Sequence, residues 1–174
     1  MRRDFFKKQN MKATCPLRNT VPEFGIDVLI AYDQIEAHKC AEHLCVRVSQ
    51  RVGAACEINI SAWNFRLLQI PYIMYSVARQ AARAALVIIA ADGAQDLPSG
   101  IKTWIGMIVG VRDATAGLFV AQFHGIGRDE KERAPAYSYL KQIMEAAGMD
   151  FLAQVTEPIN MTASHCGAAI SRKS

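Results

Sequence analysis

A three-layer α/β sandwich, with a mostly parallel sheet between two layers of helices, is the fold class that three observations predict. The stretch Leu86-Val87-Ile88-Ile89-Ala90 is apolar without alternation and stops at Ala91-Asp92-Gly93. A strand with no polar face is covered on both sides, as strands inside a parallel sheet are. Segments of this kind alternate with segments whose apolar residues recur at helical spacing, a pattern that right-handed crossovers turn into a parallel sheet. Finally, 174 residues of which 51% are hydrophobic suffice for one domain with a sizeable core.

Taken in order, residues 1–24 hold no sustained period and include Pro16 and Pro22, so an irregular basic N-terminal segment is expected ahead of a domain spanning 25–158. The first strand is expected at 26–32, ending at Asp33. Ala37, Ala41, Leu44, Cys45, Val48 and Val52 then fall on one helical stripe, closed by Gly53 in the place a left-handed cap prefers. Residues 57–63 alternate polar and apolar, which suits a second strand nearer the sheet edge. A loop with Trp63, Asn64, Phe65 and Arg66 leads to a helix expected from Pro71 to about Ala84, whose alanines allow close approach to the sheet. The third, central strand is 86–91.

After Asp92 comes the turn Gly93-Ala94-Gln95-Asp96-Leu97-Pro98-Ser99, with proline placed for a first helical turn. Ile101, Trp104, Ile105, Ile108 and Val109 recur at helical spacing and predict a helix lying on the sheet. The fourth strand is expected at 118–123, with His124-Gly125-Ile126-Gly127 as its exit loop, and 128–133 as a charged exposed segment. Pro135 opens a helix with Tyr137, Leu140, Met144 and Ala147 inward, ended by Gly148. The fifth strand is 151–155, and 159–174 is a C-terminal tail. Five strands of this size favour a flavodoxin-like sandwich with the order 2-1-3-4-5, whose reversal lies between the first and third strands. The crevice should then be lined by Tyr32, Asp33 and Gln34 on one side and by Asp92, Gly93 and the following turn on the other. His124 approaches from the fourth strand.

The ligand-binding candidates are therefore Asp33, Asp92, Gly93, Asp96 and His124. Two carboxylates on neighbouring strand ends can hold a divalent cation or raise one another's proton affinity. Local roles compete with this: Asp33 and Glu36 have capping-box-like spacing, and Asp92-Gly93 is an ordinary turn pair. His38, Cys40, His43 and Cys45 resemble metal ligands only in a linear sequence, because at about 100° per residue they point to different sides of a helix; no metal site is expected. Tyr32-Asp33-Gln34-Ile35-Glu36 offers neither glycine nor a hydroxyl cluster to cradle phosphate, so no dinucleotide or flavin cofactor of the usual kind is expected. Cys56 and Cys166 have no evident base partner for a nucleophile.

The formal charge is +4, but 12 of the 20 basic and 15 of the 16 acidic residues lie between 21 and 171, a net of −3 there. Positive charge belongs to the chain ends, which disfavours nucleic acid as the partner of the folded part. Arg2-Arg3-Asp4-Phe5-Phe6-Lys7 looks like a twin-arginine signal, but the following Gln9-Asn10-Met11-Lys12 is polar where such signals are apolar. No run approaches the roughly 18 apolar residues of a membrane span. Five scattered cysteines suit reduced thiols, and a cytoplasmic location is the expectation.

Strand, acid, helix and then an acid closing the third strand resembles the layout of response-regulator receiver domains. The resemblance implies that Asp92 stands at the phosphoacceptor position and Asp33 at one acid of the magnesium-binding pair. Tyr32 and Gln34 supply no second acid, Gln122 and Phe123 stand where that family has threonine or serine, and Val155-Thr156-Glu157-Pro158 lacks its lysine. The spacing Trp63…Leu67…Pro71, with Ala81-Ala82-Arg83-Ala84, Leu97-Pro98 and Trp104-Ile105, is similar to that of a group of uncharacterised bacterial proteins. Asp92 to Asp96 followed by 100–106 resembles nucleoside deoxyribosyltransferases and TIR-like enzymes, but no carboxylate lies between Asp96 and Asp113 to act as their nucleophile. The leading expectation is a non-enzymatic pseudo-receiver that binds a protein partner or small ligand at the crevice between the first and third strands. The alternative is an enzyme acting on nucleosides or nucleotides, with Asp92 or Asp96 as acid or base and His124 assisting.

Overall fold

The apolar run at the middle of the chain sits at the middle of the sheet. In the computed structural model, which describes residues 11–12, 24–53, 56–113 and 117–156, the strands are β1 (Met11–Lys12), β2 (Phe24–Tyr32), β3 (Cys56–Asn64), β4 (Leu86–Asp92), β5 (Leu118–His124) and β6 (Phe151–Val155). They form one sheet in the order β1-β3-β2-β4-β5-β6. Strands β2 to β6 pair in parallel throughout, so the five predicted strands take the order 2-1-3-4-5 of a flavodoxin-like α/β fold. From Val87 to Ala91, β4 is buried on both faces.

The helices are α1 (Ile35–Val52), α2 (Phe65–Leu68), α3 (Pro71–Ala81), α4 (Ser99–Val111) and α5 (Pro135–Ala146). Strand alternation divides the core in two. Ala37, Ala41 and Cys45 of α1 pack with Val28, Ile30, Ile58, Ile60, Ile88, Ala90 and Val120 on one face. On the other, Leu29, Val87, Ile89, Phe119 and Phe123 meet α2, α3, α4 and α5 through Leu68, Val77, Trp104, Ile105, Leu140 and Met144. Of the predicted stripe, Ile101, Trp104, Ile105 and Ile108 are fully buried and Val109 is half-buried. No helix among the described residues is long and apolar enough to cross a membrane.

Four local details differ from the sequence reading. Met11 and Lys12 pair antiparallel with Ile60 and Asn59, adding a short edge strand inside the stretch expected to be irregular; the rest of 1–23 and the tail 157–174 lie outside the described residues. Residues 65–68 form a helical turn rather than loop, because the Asn64 side chain accepts from the Arg66 N–H at 2.9 Å and caps it. The charged segment Arg128–Arg133 is a 3-10 helix, exposed as expected. Helix α3 stops at Ala81, and Ala84 packs in the core without belonging to it.

Arg112 explains how α3 ends against α4. Its side chain is buried beyond the C-terminus of α4, where Nη1 donates to the Ala81 carbonyl at 2.6 Å and the guanidinium lies 5.2 Å from the Phe119 ring centroid. A cation at a helix C-terminus answers the dipole, and here it adds a second donor to a carbonyl that the Ala84 N–H also reaches at 3.2 Å. Burial pushes the guanidinium below its ordinary pKa. Gly117, at φ +145°, lies so close that a Cβ there would collide with the Ala85 carbonyl and Arg112 Nη2. Arg112→Ala is therefore expected to cost about 1.5–3 kcal/mol, the range for a hydrogen bond to a charged group. Urea denaturation read by far-UV circular dichroism measures it; an unchanged midpoint would contradict this role.

Candidate functional site

Three neighbouring strands bring the predicted site together at their carboxyl ends. Asp33 follows β2, Asp92 ends β4, and His124 ends β5 as the register partner of Asp92. The Asp33 carboxylate reaches across the end of β4. Its Oδ2 accepts from the Asp92 backbone N–H at 2.6 Å, and its Oδ1 lies 3.0 Å from His124 Nε2. The backbone is tied at the same level: Asp33 N–H donates to the Ala90 carbonyl at 3.1 Å, and Gly93 N–H to the His124 carbonyl at 2.9 Å. From β3, Asn64 Nδ2 donates to the Asp33 carbonyl at 3.2 Å.

Asp33 is thus a bridge, not the helix cap that its spacing to Glu36 suggested. The N-cap of α1 is Gln34, which makes no side-chain capping bond. Burial opposes the Asp33 charge, but the His124 hydrogen bond, the Asp92 N–H and the His124 charge outweigh it and hold the carboxyl below its ordinary pKa. The same bond raises His124 against the opposing effect of burial, helped by the charges of Asp33, Asp92 and Glu36. An ionised carboxylate only accepts, so Nε2 carries the proton in this pair. His124 Nδ1 makes no hydrogen bond among the described residues.

Asp92 serves the turn reading and leaves something over. Oδ1 accepts from the Ala94 N–H at 2.9 Å, closing an Asx turn, while Oδ2 has no hydrogen bond among the described residues. The loop after β5 packs tightly here. Gly125, at φ +73°, would place a Cβ 3.0 Å from Asp92 Oδ1, and a Cβ on Gly93 would run into the Ile126 side chain. Asp96 is not drawn into the cluster. Its oxygens are engaged by the Leu97 N–H at 2.8 Å and by Lys102 Nζ at 2.6 Å on the exposed start of α4, and the Lys102 bond lowers its pKa. Tyr32 turns away too, stacking on the buried His38 of α1 with ring centroids 4.6 Å apart.

Among the described residues no group of three or more His, Cys, Asp or Glu side chains could hold a metal ion. Asn64 is the residue of this cluster that sequence reasoning passed over. Its signal was present, an asparagine at a strand-to-helix junction where capping residues gather.

No family model matches this sequence, and no curated protein does. Among solved structures, one described as a short-chain flavodoxin associated with a non-canonical PDU bacterial microcompartment aligns over 78% of this chain and 84% of that chain. Its TM-score is 0.48 and its sequence identity 10%.

The Asp33–His124 pair gives stability a defined pH window. His124, with its pKa raised on folding, contributes fully below its ordinary value near 6.5 and progressively less as pH rises through the raised value. Asp33, with its pKa lowered, contributes above its ordinary value near 3.9 and loses that contribution as pH falls through the lowered one. The contribution of the pair is therefore greatest between roughly pH 4 and 6.5. His124→Asn is expected to flatten the fall in unfolding free energy on the alkaline side of this window, read from denaturant titrations at a series of pH values. An unaltered pH profile would show that the pair does not couple to folding.

Proposed function

We propose that the chain is a receiver-like regulatory module of bacterial signalling type, acting in the cytoplasm without phosphotransfer. It binds a protein partner or a small ligand at the crevice over the ends of β2 and β4. One observation carries this reading: both oxygens of the Asp33 carboxylate are already engaged, one by the Asp92 N–H and one by His124. Phosphorylation of a receiver aspartate relies on a magnesium ion held by neighbouring acids. Here a magnesium ion at Asp33 would sit beside a histidine that itself carries positive charge when protonated. What the crevice offers instead is Asp92 Oδ2 as acceptor and His124 Nδ1 as a second polar contact, where Gly93 and Gly125 let the loop after β5 pack closely on the turn after β4.

Incubation with acetyl phosphate and magnesium is expected to leave the intact mass of the protein unchanged. A stable phosphoaspartate mapped to Asp92 would overturn the proposal.

The same two unengaged atoms support a second reading, an enzyme acting on nucleosides or nucleotides with Asp92 as acid or base and His124 assisting. Asp96 takes no part in it, being committed to Lys102. On this reading Asp92→Asn lowers nucleoside turnover by about 10²–10⁴-fold, the usual contribution of a positioned acid or base. Turnover that is absent from the wild type, or equal in the variant, excludes it.

A further inference from the structure

A cavity of about 780 Å³ lies away from the strand-end crevice, on the sheet face beside α3. Its floor is the middle of β2 and of β3. On this face β2 presents Asp27 and then the buried Leu29, and β3 presents Asn59 and Ser61. Residues under a helix on such a face are ordinarily apolar, as Leu29, Val87 and Ile89 are. The floor is polar where α3 stands off from it. Asn59 Nδ2 donates to Asp27 Oδ1 at 3.3 Å, and Gln80 Nε2 of α3 donates to Ser61 Oγ at 2.6 Å, joining wall to floor.

The wall runs along α3, where Tyr72, Tyr75 and Arg79 follow at i, i+3 and i+7, the spacing of a single helix face, and Arg83 joins the lining from the turn after Ala81. Tyr72 is 84% and Tyr75 63% exposed. Arg79 and Arg83 are exposed, and the side chain of neither makes an ion pair or hydrogen bond among the described residues. Among the described residues Asp27 is the one carboxylate lining the cavity, against two guanidinium groups, so these residues give the groove net positive charge on a protein whose folded part is net negative.

From these residues we infer that the groove binds a small anion bearing a planar ring, the chemical class of a nucleoside monophosphate. Paired guanidinium groups present forked donors that match a phosphate bidentately. Tyrosine faces stack on planar rings without regard to which ring it is. Asp27, Asn59 and Ser61 add an acceptor, an amide and a hydroxyl for ribose hydroxyls or a base edge. The volume falls within the range of about 300–1,000 Å³ typical of small-ligand sites.

Isothermal titration of the full chain with AMP and with UMP tests the inference, with adenosine and inorganic phosphate as the two halves of the ligand. Both nucleotides are expected to bind, and each half alone about tenfold or more weaker, since ring and phosphate engage different residues. Arg79→Gln with Arg83→Gln should weaken nucleotide binding about tenfold or more, and Tyr72→Ala with Tyr75→Ala should do so as well. All four side chains are exposed, so unchanged melting temperatures confirm that the variants fold. His124→Asn should leave binding as it is, which separates this groove from the strand-end crevice. No heat with either nucleotide at millimolar concentration would overturn the inference, as would affinity unaltered by the arginine changes or binding seen only with a single-stranded oligonucleotide.

Discussion

Burial of β4 on both faces is the constraint from which the rest follows. Val87, Ile88, Ile89, Ala90 and Ala91 expose 3% of their surface or less, so each side of the strand must be roofed by helix. Parallel neighbours on both sides then require crossovers, and the crossovers supply those helices. A strand in that position can carry polar chemistry only where it leaves the core. Asp92 is that exit, and the flanking strands leave at the same level with Asp33 and His124. The site therefore falls where the topology reverses, between β2 and β4, as expected for open parallel sheets.

The Asp33 bridge is best understood as a continuation of the ladder by a side chain. Pairing of β2 with β4 ends at Tyr32 opposite Ala90, after which the Asp33 N–H takes the Ala90 carbonyl. The next inward-facing donor of β4 is the Asp92 N–H, and β2 has already turned toward α1. The Asp33 carboxylate takes that donor in place of a backbone carbonyl, and its second oxygen fixes His124 on the far side of β4. Three strand ends are held by one carboxylate. The cost is local: α1 begins at Gln34 without a side-chain cap, a loss of about 1 kcal/mol in comparable helices.

The sheet was legible in the sequence because each of its elements is written in a period of its own. Strand 86–91 has no period, α4 has a helical one, and 57–63 alternates beside the edge. Convergence of Asp33, Asp92 and His124 followed from strand order alone. Their roles did not, because a capping carboxylate and a bridging one share the same sequence position and differ only in what lies across the sheet. Asp96 looked equivalent to Asp92 in the chain and is separated from it by Lys102, six residues on, whose reach over the start of α4 no spacing rule gives. β1 has two residues and α2 has four, too short for any period to register. Arg112 was invisible for a different reason: a buried arginine reads as surface until α3 and α4 are placed side by side.

The two polar regions of the molecule differ in what they leave unanswered. At the crevice Asp33 and a protonated His124 neutralise each other, and the carboxylate of Asp92 is left as an anionic acceptor for a ligand. In the groove beside α3 the surplus has the opposite sign, because Asp27 offers one carboxylate to two arginines. Both regions stand on β2, Asp27 near its middle and Asp33 just past its end, about 20 Å apart at strand rise. That exceeds the Debye length of about 8 Å at physiological ionic strength, so the charge state of one exposed region does little to tune the other. Any coupling between them would have to be mechanical, carried by β2. That strand is clamped at Val28 to Ala31 by core on both faces, and close-packed interiors of this kind resist continuous deformation. The geometry therefore favours two independent recognition surfaces over one site that senses both ligands.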